Sequence, residues 1–306
     1  MYFSASTVTA TLSILAGLTP QVNAHCRFMG ASGDADRGAL KTSCLGYDPS
    51  VPRGRAAQTP YQIDTVVFSD PIVPATKWSK YWKKPRNWWS AGCGATIQTL
   101  NAVYEVNDPF NFAKYKPAKK NYVYYQTLTP TDAMIQTVNM TQNIIDSGHL
   151  PKCTANGWLK LLVYQINDDG AGPFRCRIDP FGNGDLFGDW INIPAGGQVP
   201  GCRPCHSVRK AGSYHSFTLT VPIPAGTICN AKYGSTSNVC IMRCENFAIN
   251  GPFGACIPFQ LQGAEATTTV TVDVTQATPA PAPSYGNPGY NVNSGGTDES
   301  GENYNN

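Results

Sequence analysis

The chain is short of charge, of histidine and of methionine. Lys, Arg, Asp and Glu make up 14% of its 306 residues, against about a quarter in an average soluble protein. It has only four histidines and five methionines. No stretch of about 18 or more apolar residues occurs, which excludes a membrane-spanning helix. A net charge of +3 is too modest for a nucleic-acid-binding domain. No long amphipathic helix shows in the pattern, so the core falls to strands. Turn residues are abundant, with 29 glycines and 24 prolines. The 42% hydrophobic content is enough to bury a sizeable core and rules out global disorder.

Residues 1–24 read as a secretory signal peptide. Residues 8–18 are apolar, Pro20 follows, and Val22-Asn23-Ala24 is a small-residue cleavage site, although the n-region has no Lys or Arg. All eleven cysteines come later: Cys26, Cys44, Cys93, Cys153, Cys176, Cys202, Cys205, Cys229, Cys240, Cys244 and Cys256. That usage fits an oxidising compartment. The odd count allows at most five internal bridges and leaves one cysteine unpaired, with the pairing open. Asn139-Met140-Thr141 is an N-glycosylation sequon. The expectation is a secreted, extracellular glycoprotein.

Composition divides the rest into a folded part, 25–264, and a tail, 265–306. The tail has no Lys or Arg and five acids; removing them from the whole-chain +3 leaves +8 on the folded part. Residues 267–275 alternate like a strand or form a Thr-rich spacer. From about 277 the Pro/Gly/Asn/Ser-rich sequence cannot bury a core and is expected to be disordered. Short apolar runs at 61–68, 122–127, 134–145, 158–167, 174–179, 214–223, 239–245 and 255–261 are candidate strands. Phe217, Leu219 and Val221 face one way, with Thr218 and Thr220 opposite, the period of a half-buried strand. Many short strands between Gly/Pro turns indicate an all-β fold, a β-sandwich.

Cleavage after Ala24 would make His25 the N-terminal residue. Its α-amine and ring Nδ1 form a chelating pair, and the amine, with an ordinary pKa near ~8, gives up its proton readily to a metal. One more imidazole would complete a three-nitrogen site suited to copper. His215, in a strand-like run, is the first candidate for that role. His149, in a turn, is the second, and His206 sits in a Gly/Pro/Cys-rich loop. The bland alternative is a histidine that merely starts the chain. Cys202-Arg203-Pro204-Cys205-His206 has haem-attachment spacing, but two half-cystines in a loop explain it better. Asp168-Asp169 in a Gly-rich loop reads as turn chemistry, since a glycosidase needs two carboxylates on opposite sides of one bond.

Residues 77–89 hold four of the six tryptophans and five cations. Trp78, Tyr81, Trp82, Trp88 and Trp89 would stack on sugar rings, with Lys83 and Lys84 beside them. The alternative buries the tryptophans and leaves the lysines in water.

Five blocks in order resemble the fungal Egh16-like family of appressorium-specific virulence proteins. They are Ala24-His25; Leu45-Gly46-Tyr47-Asp48-Pro49-Ser50-Val51-Pro52-Arg53 with Pro60-Tyr61-Gln62; and Cys93-Gly94. Then come Tyr164-Gln165-Ile166-Asn167-Asp168-Asp169-Gly170-Ala171-Gly172-Pro173-Phe174, and Val239-Cys240-Ile241-Met242-Arg243-Cys244-Glu245-Asn246 running on to Pro258-Phe259-Gln260. The resemblance covers about residues 24–262. It implies a secreted protein of host penetration. It also implies a distant similarity to copper-dependent lytic polysaccharide monooxygenases, with an immunoglobulin-like β-sandwich, long disulfide-stapled loops and copper on the N-terminal histidine. In that frame Tyr164, Phe253 and Phe259 are candidates for the axial position. The chain departs from the pattern at Tyr164, where some members carry histidine, and at 77–89 and 202–206.

Two functions follow as expectations. One is a non-catalytic protein that binds host or fungal cell-wall polysaccharide. The other is a copper-dependent oxidase of such polymers, built on His25. Neither uses a nucleic acid or a membrane span.

Overall fold

The computed structural model describes residues 25–37, 39–51, 63–68, 92–99, 134–248, 252–263 and 270–272. The expected signal peptide, the 77–89 segment, the 122–127 strand and the tail from 273 lie outside the described residues.

The strands in chain order are β1 (Cys26–Gly33), β2 (Val66–Val67), β3 (Ala95–Thr96), β4 (Lys152–Thr154), β5 (Trp158–Gln165), β6 (Arg175–Asp179), β7 (His215–Pro222), β8 (Ala231–Tyr233), β9 (Thr236–Glu245), β10 (Phe253–Gln262) and β11 (Val270–Thr271). A three-stranded antiparallel sheet runs β1-β5-β7. Its inner face is set by alternation: Leu159, Leu161 and Val163 stand opposite Val221, Leu219 and Phe217. All but Phe217 are fully buried, and Phe217 packs at the core's edge. Burying each such side chain contributes about 1.5–3 kcal/mol.

The second sheet follows the order β11-β8-β9-β10-β2-β3, with β6 beside β9 and β4 beside β10. It is mostly antiparallel; β4 on β10 and β11 on β8 are parallel. Cys240, Met242 and Cys244 of β9 and Phe253, Ala255, Ile257, Phe259 and Leu261 of β10 join the same apolar cluster as Leu161 and Leu219. The two sheets therefore share one core, as the all-β expectation requires. The other face of the larger sheet is also covered. Ile241 and Cys256 pack there with Leu45, Val66, Phe68 and Cys93.

One expected strand is a helix. The apolar run at 134–145 predicts a strand, but helix α1 spans Thr137–Asp146. Thr137, Thr141 and Ile144 recur at helical spacing, and Val138 and Ile145 do the same; together they pack on the outer side of the larger sheet. Gly148, at φ +73°, ends the helix in the left-handed conformation that glycine supplies cheaply. Ile144 O accepts the N–H of His149 just beyond it.

Four bridges form among the described residues: Cys93–Cys256, Cys176–Cys244, Cys202–Cys205 and Cys229–Cys240. Three cysteines, not one, remain as thiols: Cys26, Cys44 and Cys153. All three lie in the shared core and act there as small apolar side chains. Burial pushes their thiols well above the ordinary range.

Candidate functional site

β1 begins directly after His25, and three loops fasten it. On its outer side Arg27 is almost wholly buried. It donates to Asp64 at 2.9 Å and to the carbonyls of Val51 and Asp48. These bonds hold the loop of the Leu45-Gly46-Tyr47-Asp48 block against the strand. Next door, Gln165 reaches from β5 and donates through Nε2 to the carbonyls of Asn167 and Arg209.

The turn after β5 then closes over His25. The His25 backbone N–H donates to Asn167 Oδ1, and its carbonyl accepts from Ile166 at 3.0 Å. A Cβ on Gly170 would lie 2.0 Å from the His25 carbonyl oxygen, so only glycine fits there. Asn246, just past β9, holds the turn from behind. Its Nδ2 donates to the carbonyls of Asp169 and Ala171, and its Oδ1 accepts from the Phe253 N–H. Phe253 in turn packs on the His25 ring, centroid to centroid 4.8 Å. His25 is 9% exposed. Gln165 Oε1 and Asn167 Nδ2 are buried without a hydrogen-bond partner. The two blocks that carry the most specific resemblance therefore meet at His25.

The other expected ligands are spread out. Cys26 and His215 both stand opposite Gln165, on either side of β5. Their backbones are thus two strand spacings apart, about 10 Å. The His215 ring is exposed, with Nδ1 2.8 Å from the Ser213 carbonyl. His149 follows α1 and is exposed, with Nδ1 near Ser147 Oγ. Pro151, two residues on, accepts from the Gln260 N–H, and Gln260 is seven residues along β10 from Phe253, or about 23 Å. Phe259 is six residues from Phe253 on the same strand and is likewise not brought to His25. Tyr164 packs with Met29 and Ile166 in a separate cluster on the outer side of the small sheet. Of the axial candidates, Phe253 packs on His25. No group of three metal-ligating side chains comes together among the described residues. Of the two expected further ligands, His215 lies nearer His25 in strand register than His149 does.

Asp168 and Asp169 sit in a short 3-10 turn, Asp168–Gly170. Ser213 Oγ donates to Asp168 Oδ1 at 3.0 Å. This is the turn chemistry expected of them. Asn139 is exposed on α1, while Thr141 of its sequon is buried. The Trp78, Tyr81, Trp82, Lys83, Lys84, Trp88 and Trp89 set lies outside the described residues.

A second aromatic feature had not been expected from the sequence. Leu186 and Trp190, on the loop after β6, are 61% and 39% exposed. The Arg175 and Arg177 guanidinium carbons lie 3.9 and 4.5 Å from the Trp190 ring centroid. The alternation Arg175-Cys176-Arg177 was the available signal: a bridged cysteine pointing inward sends both arginines outward.

The fold and this end of it define a class: a disulfide-stapled β-sandwich whose first strand opens on a clasped histidine. A family model described as Egh16-like virulence factor matches residues 23–254. The chain belongs to that family. Among curated relatives, appressoria-specific virulence factor GAS1 of Pyricularia oryzae is 32% identical over 145 residues, 44% of this chain and 55% of that protein. Appressoria-specific virulence factor GAS2 of the same organism is 31% identical over 133 residues, 44% of this chain and 45% of that protein. The chain thus spans about half the length of the curated relatives it matches.

Proposed function

We propose that this protein is secreted, takes part in host penetration, and acts by binding cell-wall polysaccharide; its relatives are named as appressoria-specific virulence factors. The observation that carries the reading is the exposed Trp190, held on two arginines at the surface of a basic sandwich. A tryptophan face so braced offers an apolar platform to a sugar ring without having to be ordered on binding. The four bridges support an extracellular setting. The test is a pull-down of the secreted protein on insoluble chitin, β-glucan, cellulose and pectin. Retention on at least one polymer, reduced about tenfold by Trp190→Ala with an unchanged melting temperature, is the expected result. No retention on any of them overturns the reading.

A second reading rests on the clasp around His25. With residue 24 removed, the freed amine and the imidazole would take Cu(II), with His215 as the third nitrogen donor. Copper bound this way supplies oxidative chemistry toward C–H bonds. The chain's own part is to hold the terminus through Asn167 and to screen the ring with Phe253. Titration of the mature protein with Cu(II), read by electron paramagnetic resonance, checks this reading. A nitrogen-rich signal lost in both His25→Ala and His215→Ala supports it, and a signal unchanged in His215→Ala rules that donor out.

A further inference from the structure

We propose that the exposed end of the larger sheet's outer face selects acidic polysaccharide, a polyuronate, through Trp190, Arg175 and Arg203, which a largely buried ladder of alternating arginines and aromatic rings holds in place. The inference rests on the binding reading above and names its ligand. Strand register builds the ladder. Arg175 stands opposite Glu245, and Arg177 opposite Arg243. The inward partners of this pair of strands are bridged as Cys176–Cys244, so the charged side chains all face outward.

Rings fill the gaps between them. Arg177 lies 5.3 Å from the Phe187 centroid. Arg243 lies 4.2 Å from Phe68 and 5.7 Å from Phe187. At the other end Arg175 and Arg203 both approach Phe247, at 5.6 and 4.6 Å. The ladder thus runs from the interior at Phe68 out to Trp190 and to the exposed Arg203.

Three acids on this face are engaged within the fold. Glu245 is fully buried and already accepts from both Arg175 and Arg243. Asp179 faces outward from β6, but its carboxylate is held by the N–H groups of Phe181, Asn183 and Gly184. Asp185 accepts from Asn183. Arg203 has no carboxylate partner among the described residues; its contact is the Phe247 ring. The folded part as a whole carries +8 by sequence. A guanidinium is the group that recognises a carboxylate with two parallel hydrogen bonds. The ligand that matches a tryptophan platform beside such guanidinium groups is a pyranose bearing a carboxylate. Its ring would lie on Trp190, and its acid would meet Arg203 or the exposed edge of Arg175.

The experiment measures binding of the full secreted protein to soluble polygalacturonate, to the same polymer methyl-esterified, to a neutral β-glucan and to dextran sulfate, by affinity electrophoresis. The expected result is binding to polygalacturonate that falls about tenfold on esterification and again at high salt. Arg203→Glu and Trp190→Ala, both at exposed positions, should each weaken it about fivefold or more with the melting temperature kept. Equal binding of the acid and its ester overturns the inference while leaving the polysaccharide reading intact. Dextran sulfate binding as tightly as polygalacturonate, insensitive to Trp190→Ala, also overturns it, as a general affinity for anions. Binding to no polymer at all removes both.

Discussion

The two sheets of this sandwich solve the same burial problem differently. The β1-β5-β7 sheet buries Leu159, Leu161 and Val163 on one side and shows Lys160 on the other. The larger sheet is dry on both sides. β9 buries every residue from Val239 to Glu245, and β10 every residue from Phe253 to Phe259. Its inner face is apolar, whereas its outer face carries Arg175, Arg177, Arg243 and Glu245 beneath aromatic rings and a helix. Such groups are costly to bury and are stable only when fully paired. A sheet that could have been covered by leucine is covered instead by a charged ladder leading to an exposed tryptophan. The difference places specificity on the larger sheet and plain cohesion on the smaller one.

The sharpest way to break that comparison is to unfasten the outer cover. Cys93–Cys256 ties the loop before β3 to the outer face, across 163 residues of sequence. Loop-closure entropy makes it worth about 5 kcal/mol, slightly more than the inner Cys176–Cys244 pair at about 4 kcal/mol. Guanidinium unfolding of Cys93→Ser/Cys256→Ser against Cys176→Ser/Cys244→Ser checks the ranking. An outer pair worth less than 2 kcal/mol would mean that the cover adds little to the fold.

Next in size is Glu245. Both its oxygens are taken, by Arg175 and Arg243, at no exposure. Glu245→Gln leaves two arginines facing a neutral amide and should cost about 3–5 kcal/mol. Replacing Arg175, Arg243 and Glu245 together by Met, Met and Leu should recover most of that stability. Chemical unfolding of the two variants side by side reads the difference. Equal loss in both would mean that packing, not charge, is what the triad supplies.

How far all this was legible from the sequence depends on whether a signal is local. Phe217, Leu219 and Val221 declared their face by alternation, and the structure places Leu219 and Val221 in the core with Phe217 at its edge. In the helix α1, Val138 and Met140 also sit two apart, and that false period of two hid the true spacing of Thr137, Thr141 and Ile144. Gly148 at its end was the overlooked stop. His25 could be singled out because a cleavage site precedes it. Its clasp joins His25 to Asn167, 142 residues on, and Asp169 to Asn246, 77 residues further, which the pairing of β1 with β5 and of β6 with β9 brings together. The arginine ladder is fixed by register between β6 and β9 and by a loop folding back over them. Neither follows from composition, although Arg175-Cys176-Arg177 and Arg243-Cys244-Glu245 share one polar–Cys–polar rhythm. The bridge partners were undetermined for the same reason.

The smallest expected effect separates the outer face by its titration. Asp179 is the outward residue at the end of β6, and burial pushes its carboxyl up to about 6, while three backbone N–H groups pull the other way. A raised folded pKa means that the unfolded chain loses its proton first as pH rises. The wild type should therefore lose stability between about pH 4 and pH 6, by at most about 3 kcal/mol, and hold a constant deficit above that window. Asp179→Asn removes the titrating group. Other carboxyls titrate in both proteins, so the quantity to follow is the difference in unfolding free energy between the two, measured from pH 3.5 to 7.5. It should shift in favour of the variant across that window and be flat on either side. Parallel curves would show that Asp179 ionises as it does in water and that the outer face near β6 is wet. In that case the contrast between the two sheets would end before the last residue of β6.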